Sequence, residues 1–172
     1  YGDHRDLHVR SRRQRQMCIR DRYRAYTEKN IQEIDRHIAR GTSLPANTVM
    51  GGYGHFEFGY CLGDFLKKGH IKQFFYAINC DNFSFDSSHE VCSLISDAIG
   101  ADQYDAALEI IQHPKACITD RGRRNILDQL AAHLIKKDQY HSKKYHPLFD
   151  HVTGENHALI DYFNQACFDR AC

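Results

Sequence analysis

Three stretches of the chain share one pattern of apolar and polar positions: Cys61–Ile71, Leu94–Tyr104 and Leu130–Tyr140. In each stretch, apolar residues recur at the spacing of one helix face, a short polar turn follows, and an apolar residue opens the next segment. The first two stretches begin 33 residues apart, and the last two begin 36 residues apart. This self-similarity predicts a helical repeat array, in which each helix pair buries its apolar face against its neighbours.

Residues 23–54 are predicted to contain one amphipathic helix and a loop. Thr27 is placed to cap a helix over Glu28–Arg40, whose isoleucines fall on one face. Gly41 is a typical helix stop, and the glycines and proline that follow predict a loop up to Gly54. The loop lacks the Gly-Lys-Ser/Thr sequence of a phosphate-binding loop, so no nucleotide site is expected there.

Residues 55–172 are predicted to hold about three helix pairs and a C-terminal helix that caps the array or begins a partial repeat. Ser87 with Glu90 forms a capping box for the second pair. Its partner helix is predicted over Tyr104–Gln112, and Pro114 ends that helix.

The third pair is predicted to open at Asn125, after a linker over residues 115–124. Within this linker, residues 120–122 (Asp-Arg-Gly) have the composition of a tight turn. The second helix of this pair is predicted to be short, because Pro147 arrives soon after the turn. The run His157–Phe168 has helical spacing and is predicted to be the last helix.

The turns inside the three stretches have similar sequences. Leu66–Lys72 contains a Gly-His pair, and Asp-Gln-Tyr stands at the same place in residues 102–104 and 138–140. These turns resemble the Gly-His turn between the two helices of an ankyrin repeat, and the 33-residue step is the ankyrin period. The resemblance covers roughly residues 54–145 and implies an all-α fold, an α-solenoid of about three degenerate ankyrin-like helix pairs with flanking helices. The Thr-Pro-Leu-His motif is missing, so another helix-pair solenoid and an irregular helical domain stay as alternatives.

An arginine-rich arm precedes the repeats. Residues 12–22 read Arg-Arg-Gln-Arg-Gln-Met-Cys-Ile-Arg-Asp-Arg, a composition typical of nucleic-acid-binding arms. The same residues resemble a translated transposase-type sequencing adapter, because their codons can spell the adapter throughout. We therefore interpret residues 1–22 as a non-native, disordered extension and exclude them from the fold. The remaining chain carries 16 basic and 19 acidic residues, a formal charge of −3 in place of +1.

The remaining composition restricts the class of partner. A mildly acidic chain is a poor match for a phosphate backbone, so no nucleic-acid partner is predicted. No run approaches the ~18 consecutive apolar residues of a membrane-spanning helix, and no membrane partner is predicted. The N-terminal segment lacks the apolar core of a signal peptide, so the cytoplasm, or the cytosol of a host cell, is the expected location. The ankyrin resemblance implies a scaffold that binds another protein and catalyses no reaction.

Cysteine and histidine are frequent enough to require a test for metal binding. Zinc sites need ligands at spacings such as Cys-x2-Cys, matched by a second pair. The close pairs in this chain are His89 with Cys92, His113 with Cys117, and Cys167 with Cys172. None of these pairs has a zinc-site spacing, and cysteines on apolar helix faces usually pack as small apolar residues. We therefore predict no metal and no cofactor.

The alternative is a small helical enzyme or effector domain that uses a Cys–His pair. Such a site needs a thiolate that a nearby imidazole activates and a further polar group orients. Cys80 beside Asp81 supplies part of this set, and Cys117 near His113 and Asp120 supplies all of it. These spacings match no enzyme signature that we recognise, so no catalytic residue is assigned.

The predicted linkers carry the candidate partner-binding residues. One linker holds a basic cluster suited to an acidic partner, and the preceding linker holds two aromatic residues suited to anchoring in a partner's pocket. The six residues are Lys115, Arg121, Arg123, Arg124, Phe83 and Phe85. The alternatives are that the basic cluster is a solvated turn and that the two phenylalanines pack as core beneath their linker.

Overall fold

The computed structural model of the chain describes residues 21, 24–26, 28–41, 62–80, 83–85, 87–139 and 142–171. These residues lie in helices, turns and linkers, and none of them is in a strand, so the all-α prediction is confirmed for them. Residues 1–20 and 42–61 lie outside the described residues. They contain most of the predicted N-terminal extension and of the predicted loop.

Short helices joined by turns make up the described part of the chain. Residues 21 and 24–26 are helical, and the helices that follow are, in chain order, α1 (Ile31–Ala39), α2 (which includes residues 62–67), α3 (Ile71–Ile78), α4 (Ser88–Gly100), α5 (Tyr104–Gln112), α6 (Asp120–Lys137), α7 (His146–Thr153) and α8 (His157–Ala171). A 3-10 turn over Lys143–Tyr145 leads into α7. The predicted bounds of α5 and the predicted start of α8 are confirmed. The Ser87 cap of α4 is also confirmed, because its hydroxyl accepts a hydrogen bond from the Glu90 N–H at 3.2 Å.

The chain divides into two compact units. The first unit takes in Tyr1–Cys61 and Lys72–Ser84, and the second takes in Leu62–Ile71 and Phe85–Cys172. The chain therefore passes from the first unit into the second at residue 62 and returns to the first unit at residue 72. From residue 85 onwards it belongs to the second unit.

The first unit is organised around the fully buried side chain of Tyr26. Its hydroxyl donates a hydrogen bond to the Gln73 carbonyl in α3 at 3.3 Å. The side-chain amide of Gln73 donates in turn to Asp35 in α1 at 2.8 Å. Burial raises the pKa of Tyr26 far above its ordinary value, so this phenol stays neutral and acts as a hydrogen-bond donor. One chain of hydrogen bonds thus joins three segments of this unit.

α1 begins later than predicted. Lys29 adopts a left-handed conformation with φ 54°, which an α-helix does not accommodate, so the helix cannot start at Glu28. Asn30 caps α1 instead, because its side-chain oxygen accepts a hydrogen bond from the Glu33 N–H at 3.2 Å. Thr27, the predicted cap, lies outside the described residues.

α6 also differs from the prediction, because residues 120–124 are helical and form no linker turn. The Thr119 hydroxyl accepts a hydrogen bond from the Gly122 N–H at 3.1 Å and caps a helix that starts at Asp120. Gly122 serves close packing: a Cβ atom there would lie 2.9 Å from the Cys92 sulfur in α4. The glycine that indicated a turn in the sequence therefore lets two helices approach.

Within the residues that the structure describes, the same turn occurs at four places. Its central residue is left-handed at Lys29, Gly69, Asp102 and Asp138, with φ angles of 54°, 74°, 59° and 54°. The N–H of each donates to the carbonyl three residues earlier, and the N–H of the next residue donates to the carbonyl five residues earlier. All eight of these hydrogen bonds lie between 2.8 and 3.2 Å, and together they define a Schellman motif.

Buried side chains occur at fixed distances in sequence before each left-handed residue. Four residues before the left-handed position, a side chain is buried in each case, at Ala25, Phe65, Ala98 and Leu134. The side chains seven residues before the last three turns are also buried, at Leu62, Ile95 and Ala131. Local backbone geometry and apolar pattern therefore repeat together.

Helices of the second unit pack in two layers of neighbours. α4 packs against α6, and α6 packs against α8. α5 packs against its partner α4 and against α7, the partner of α6. The fully buried apolar side chains of these helices include Ile95, Ile110, Ile126, Leu127 and Val152. This packing places the turns of α4 and α6 close together.

Asp102 connects two of these turns. Its carboxylate accepts a hydrogen bond from His133 Nε2 at 2.7 Å and another from Lys137, both in α6. Tyr104 lies edge-to-face against the His133 ring, and burial followed by the charge of Asp102 raises the pKa of Tyr104 to about 12. The hydrogen bonds from Lys137 and then His133 hold the pKa of Asp102 below its ordinary value. A charged group thus stabilises the contact between consecutive helix pairs.

Gly122→Ala should destabilise the second unit by about 1–3 kcal/mol, because the added methyl group forces α4 and α6 apart. Gly100→Ala is the matched control, since a Cβ at Gly100 meets no atom within 4 Å. It should leave stability unchanged or raise it by up to about 1 kcal/mol. Urea unfolding followed by circular dichroism measures both, and equal effects of the two substitutions would show that the close contact is not limiting.

Asp102→Asn should reduce the acid sensitivity of the fold. Because the folded pKa of Asp102 is lowered, its contribution is complete above the unfolded value of about 3.9 and is lost as pH falls through the folded pKa. The variant should therefore be less stable than the natural sequence at neutral pH, and the difference should shrink towards low pH. Asp138→Asn, at the equivalent turn position, is the control. A pH-independent difference for Asp102→Asn would contradict the ion-pair role.

Candidate partner-binding surface

Arg123 is occupied within the second unit. Its half-buried guanidinium extends from the second turn of α6 and donates hydrogen bonds to the carbonyls of Val152 at 2.8 Å and His151 at 3.4 Å. The last carbonyls of a helix have no partner within that helix and carry partial negative charge. Arg123 therefore caps the C-terminus of α7 and joins it to α6. One of the three arginines that were predicted to bind a partner therefore has a structural role within the fold.

Arg121 and Arg124 have no comparable contact. Both side chains are exposed, and they lie three residues apart at the start of α6, so they share one helix face. Among the residues that the structure describes, neither guanidinium forms an ion pair. They were predicted on a linker but are presented by a helix, which fixes their spacing.

Phe85, His113 and Lys115 form a small assembled patch in the second unit. The half-buried ring of Phe85 lies edge-to-face against His113, with centroids 5.3 Å apart and an interplanar angle of 89°. The exposed Lys115 donates its backbone N–H to His113 Nδ1 at 3.2 Å. When neutral, His113 therefore carries its proton on Nε2. The linker before α4 thus contacts the linker after α5, although the sequence shows no link between them.

Phe83 is not available as an anchor. Its side chain is only 4% exposed, and its backbone N–H donates to the Cys80 carbonyl at 2.9 Å. Phe83 belongs to the first unit, whereas Phe85 belongs to the second. The sequence left two alternatives for these phenylalanines, and burial shows that Phe83 follows the core alternative.

Two of the described cysteines, Cys80 and Cys92, have surroundings that favour the neutral thiol. The Cys80 thiol donates a hydrogen bond to the Tyr76 carbonyl at 3.0 Å, and burial raises the pKa of Cys92. Both features favour the neutral thiol, which is a poor nucleophile. Cys117 is exposed, while Asp81, proposed beside Cys80, lies outside the described residues.

Two further kinds of feature are absent from the described part of the chain. No group of three or more His, Cys, Asp or Glu side chains there has an arrangement that would hold a metal ion. Among the same residues, no helix combines the length and the apolar character that crossing a bilayer requires.

A cleft lies beside the start of α6, and the sequence did not indicate it. Its main part has a volume of about 500 Å³ and lies between α6 and the turn that joins α7 to α8. It adjoins a smaller cavity of about 120 Å³, lined by Arg124 and Tyr162. Asp120, Asn156 and Leu159 line both parts. The sequence singled out Arg124 and Asp120 for other reasons, and Asn156, a good capping residue directly before the predicted last helix, is a further signal.

Comparisons with protein-family models, with curated proteins and with solved structures found no match. The residues and contacts described above are therefore the basis for a function. They comprise a helical support, a patch assembled from two linkers, and two exposed arginines at the start of α6, of which Arg124 lines part of a cleft.

Arg123→Ala should destabilise the second unit by about 1–2 kcal/mol, because the C-terminal carbonyls of α7 lose a charged donor. Arg124→Ala, one residue further on, should change stability by no more than about 0.5 kcal/mol because its side chain is exposed. Chemical unfolding of the two variants compares them directly. Equal losses would show that the bonds to Val152 and His151 contribute nothing measurable.

Proposed function

We propose that this chain is a non-catalytic scaffold that binds another protein, built from degenerate ankyrin-like helix pairs. The observation that carries the proposal is the turn that recurs at Lys29, Gly69, Asp102 and Asp138 with the same hydrogen bonds. A second helix begins two residues after each of the first three turns, at Ile31, Ile71 and Tyr104. A helix–turn–helix unit used several times is the defining feature of a helical repeat array.

Packing in the second unit supports the same proposal. α4, α6 and α8 contact one another in sequence, as do α5 and α7. In repeat arrays each unit mainly contacts its neighbours, and the resulting extended surfaces serve as binding sites for proteins. The exposed side of α8 carries Asp161, Asn164, Gln165 and Asp169 together with Phe168, whose side chain is 66% exposed and can contribute an apolar contact to a partner.

The exposed residues favour binding over chemistry. Phe85 and His113 form a rigid aromatic contact across two linkers, and Arg121 and Arg124 are presented at a fixed spacing. Aromatic residues and arginines are the side chains that most often carry binding energy at protein interfaces. The Cys–His alternative has less support, because Cys80 and Cys92 are held as neutral thiols.

The test compares proteins captured by two variants of the full chain. Arg121→Glu with Arg124→Glu reverses the exposed charges on α6, and Lys143→Glu with Lys144→Glu is the matched control at another exposed site. We expect a protein that binds the natural chain and the control alike, and that binds the α6 variant at least about tenfold more weakly.

Two outcomes would contradict the proposal. One is that no protein is captured with a preference for the natural chain over the α6 variant. The other is a hyper-reactive Cys117 at neutral pH, measured with a thiol-specific probe, since a thiolate of that kind is typical of a cysteine-dependent enzyme.

A further inference from the structure

α8 is held to the second unit by few buried side chains. Among the described residues of this helix, Leu159 and Phe163 are buried, each 6% exposed. α4 is the shorter helix and also packs against α6. Its buried side chains are Val91, Leu94, Ile95, Ala98 and Ile99. Because burial of an apolar face provides most of the stability of a helix within a protein, α8 is held more weakly than α4.

Two contacts fix the position of α8 on α6 and α7. The exposed Tyr162 donates a hydrogen bond from its hydroxyl to the Asp128 carboxylate in α6 at 2.8 Å. The ring of Phe163 lies against the half-buried Phe149 in α7, with centroids 4.8 Å apart and an interplanar angle of 53°. Leu159, Tyr162 and Phe163 are spaced i, i+3 and i+4, so they share one face of α8.

The turn before α8 is suited to act as a hinge. Gly154 has φ 54° and ψ −136°, a combination that residues with a side chain rarely adopt, and glycine also leaves this conformation without hindrance. Weakly buried segments of a folded protein open locally at a lower free energy than its core does. α8 therefore detaches more readily than α4. Its release uncovers Phe149 and the part of α6 around Asp128.

We infer that α6 and α7 form a helix-binding site, which α8 occupies within the chain and which a helix of the partner protein occupies in its place. The inference rests on the proposed function and specifies the chemistry of the partner. The contacts of α8 define what the site accepts: a leucine, a hydroxyl donor three residues later and an aromatic ring four residues later. Recognition of an amphipathic helix in a groove uses anchors at this spacing.

α8 acts as an internal competitor at this site. The short turn between Thr153 and His157 keeps α8 beside the site at an effective concentration on the order of mM. The apparent affinity for the partner's helix is therefore the intrinsic affinity reduced by the fraction of chains in which α8 is detached. A partner helix that buries more apolar surface than α8 overcomes this competition, so the site selects for strong binders.

The test uses a labelled synthetic peptide of residues 157–171 as the competing helix, under reducing conditions. In the full chain, Leu159→Ala with Phe163→Ala weakens the attachment of α8. This variant should bind the peptide at least about tenfold more tightly than the natural chain does. Asp161→Ala with Asn164→Ala changes exposed positions of α8 and is the matched control, which should bind the peptide as the natural chain does. A peptide that itself carries Leu159→Ala and Phe163→Ala should not bind.

Hydrogen exchange provides a second measurement. In the natural chain, the amides of α8 should exchange at least about tenfold faster than those of α4, because α8 opens locally. The amides of α4 should stay protected in the variant with Leu159→Ala and Phe163→Ala, which shows that the rest of the second unit remains folded. Equally slow exchange in α8 and α4 of the natural chain would overturn the inference.

The outcomes separate this inference from the proposed function. The inference fails if the peptide binds neither the natural chain nor the weakened variant, or binds both with equal affinity. Either result leaves the scaffold function standing, because capture of a partner does not depend on the peptide. Peptide binding as expected, without capture of any protein, would overturn the proposed function and leave α6 and α7 as a helix-binding site. Concentration-dependent dimers that exchange α8, detected by size-exclusion chromatography, would replace the partner's helix with α8 of a second copy.

Discussion

A pair of backbone hydrogen bonds around one left-handed residue recurs through this chain, and the helix pairs depend on it. The turn ends the first helix of a pair and satisfies its last carbonyls, and at Lys29, Gly69 and Asp102 it directs the chain into the second helix within two residues. Only one of the four left-handed positions is glycine. Asp102 adopts the left-handed conformation, and its carboxylate also accepts hydrogen bonds from His133 and Lys137 in the next helix pair. One residue therefore contributes both to the turn and to the packing of consecutive pairs.

The sequence allowed the helical class and the best-marked helix ends to be predicted, because these depend on local signals. α5 and the Ser87 cap follow directly from apolar spacing and capping chemistry. The predicted start of α6 was wrong, because the sequence Asp-Arg-Gly has the composition of a turn. Only the close approach of Cys92 shows why residue 122 is a glycine. The turn at Lys29 was missed for a related reason. Lysine carries no signal for a left-handed conformation, although the Asn30-Ile31 that follows it resembles His70-Ile71.

The candidate site was predictable in its residue types and unpredictable in its assembly. The arginine cluster was visible as charge, yet its members have different surroundings: Arg123 caps α7, while Arg121 and Arg124 face solvent. The same holds for the phenylalanines, which are separated by one residue and belong to different units. Residues that are close in sequence can be told apart in this way only when the positions of distant carbonyl groups and aromatic rings are known. No local sequence pattern contains this information.

The four turns are closed by hydrogen bonds that span no more than five residues, and the two layers of the second unit join segments close to one another in sequence. Such a topology has a low contact order, which permits rapid folding in stages from any pair. It also tolerates the duplication or loss of a whole unit during evolution, because the remaining pairs keep their local connections. Successive turns lie 40, 33 and 36 residues apart, and the step from 33 to 36 comes mainly from α6, which has 18 residues where α4 has 13, so this topology also accepts a longer helix within a pair.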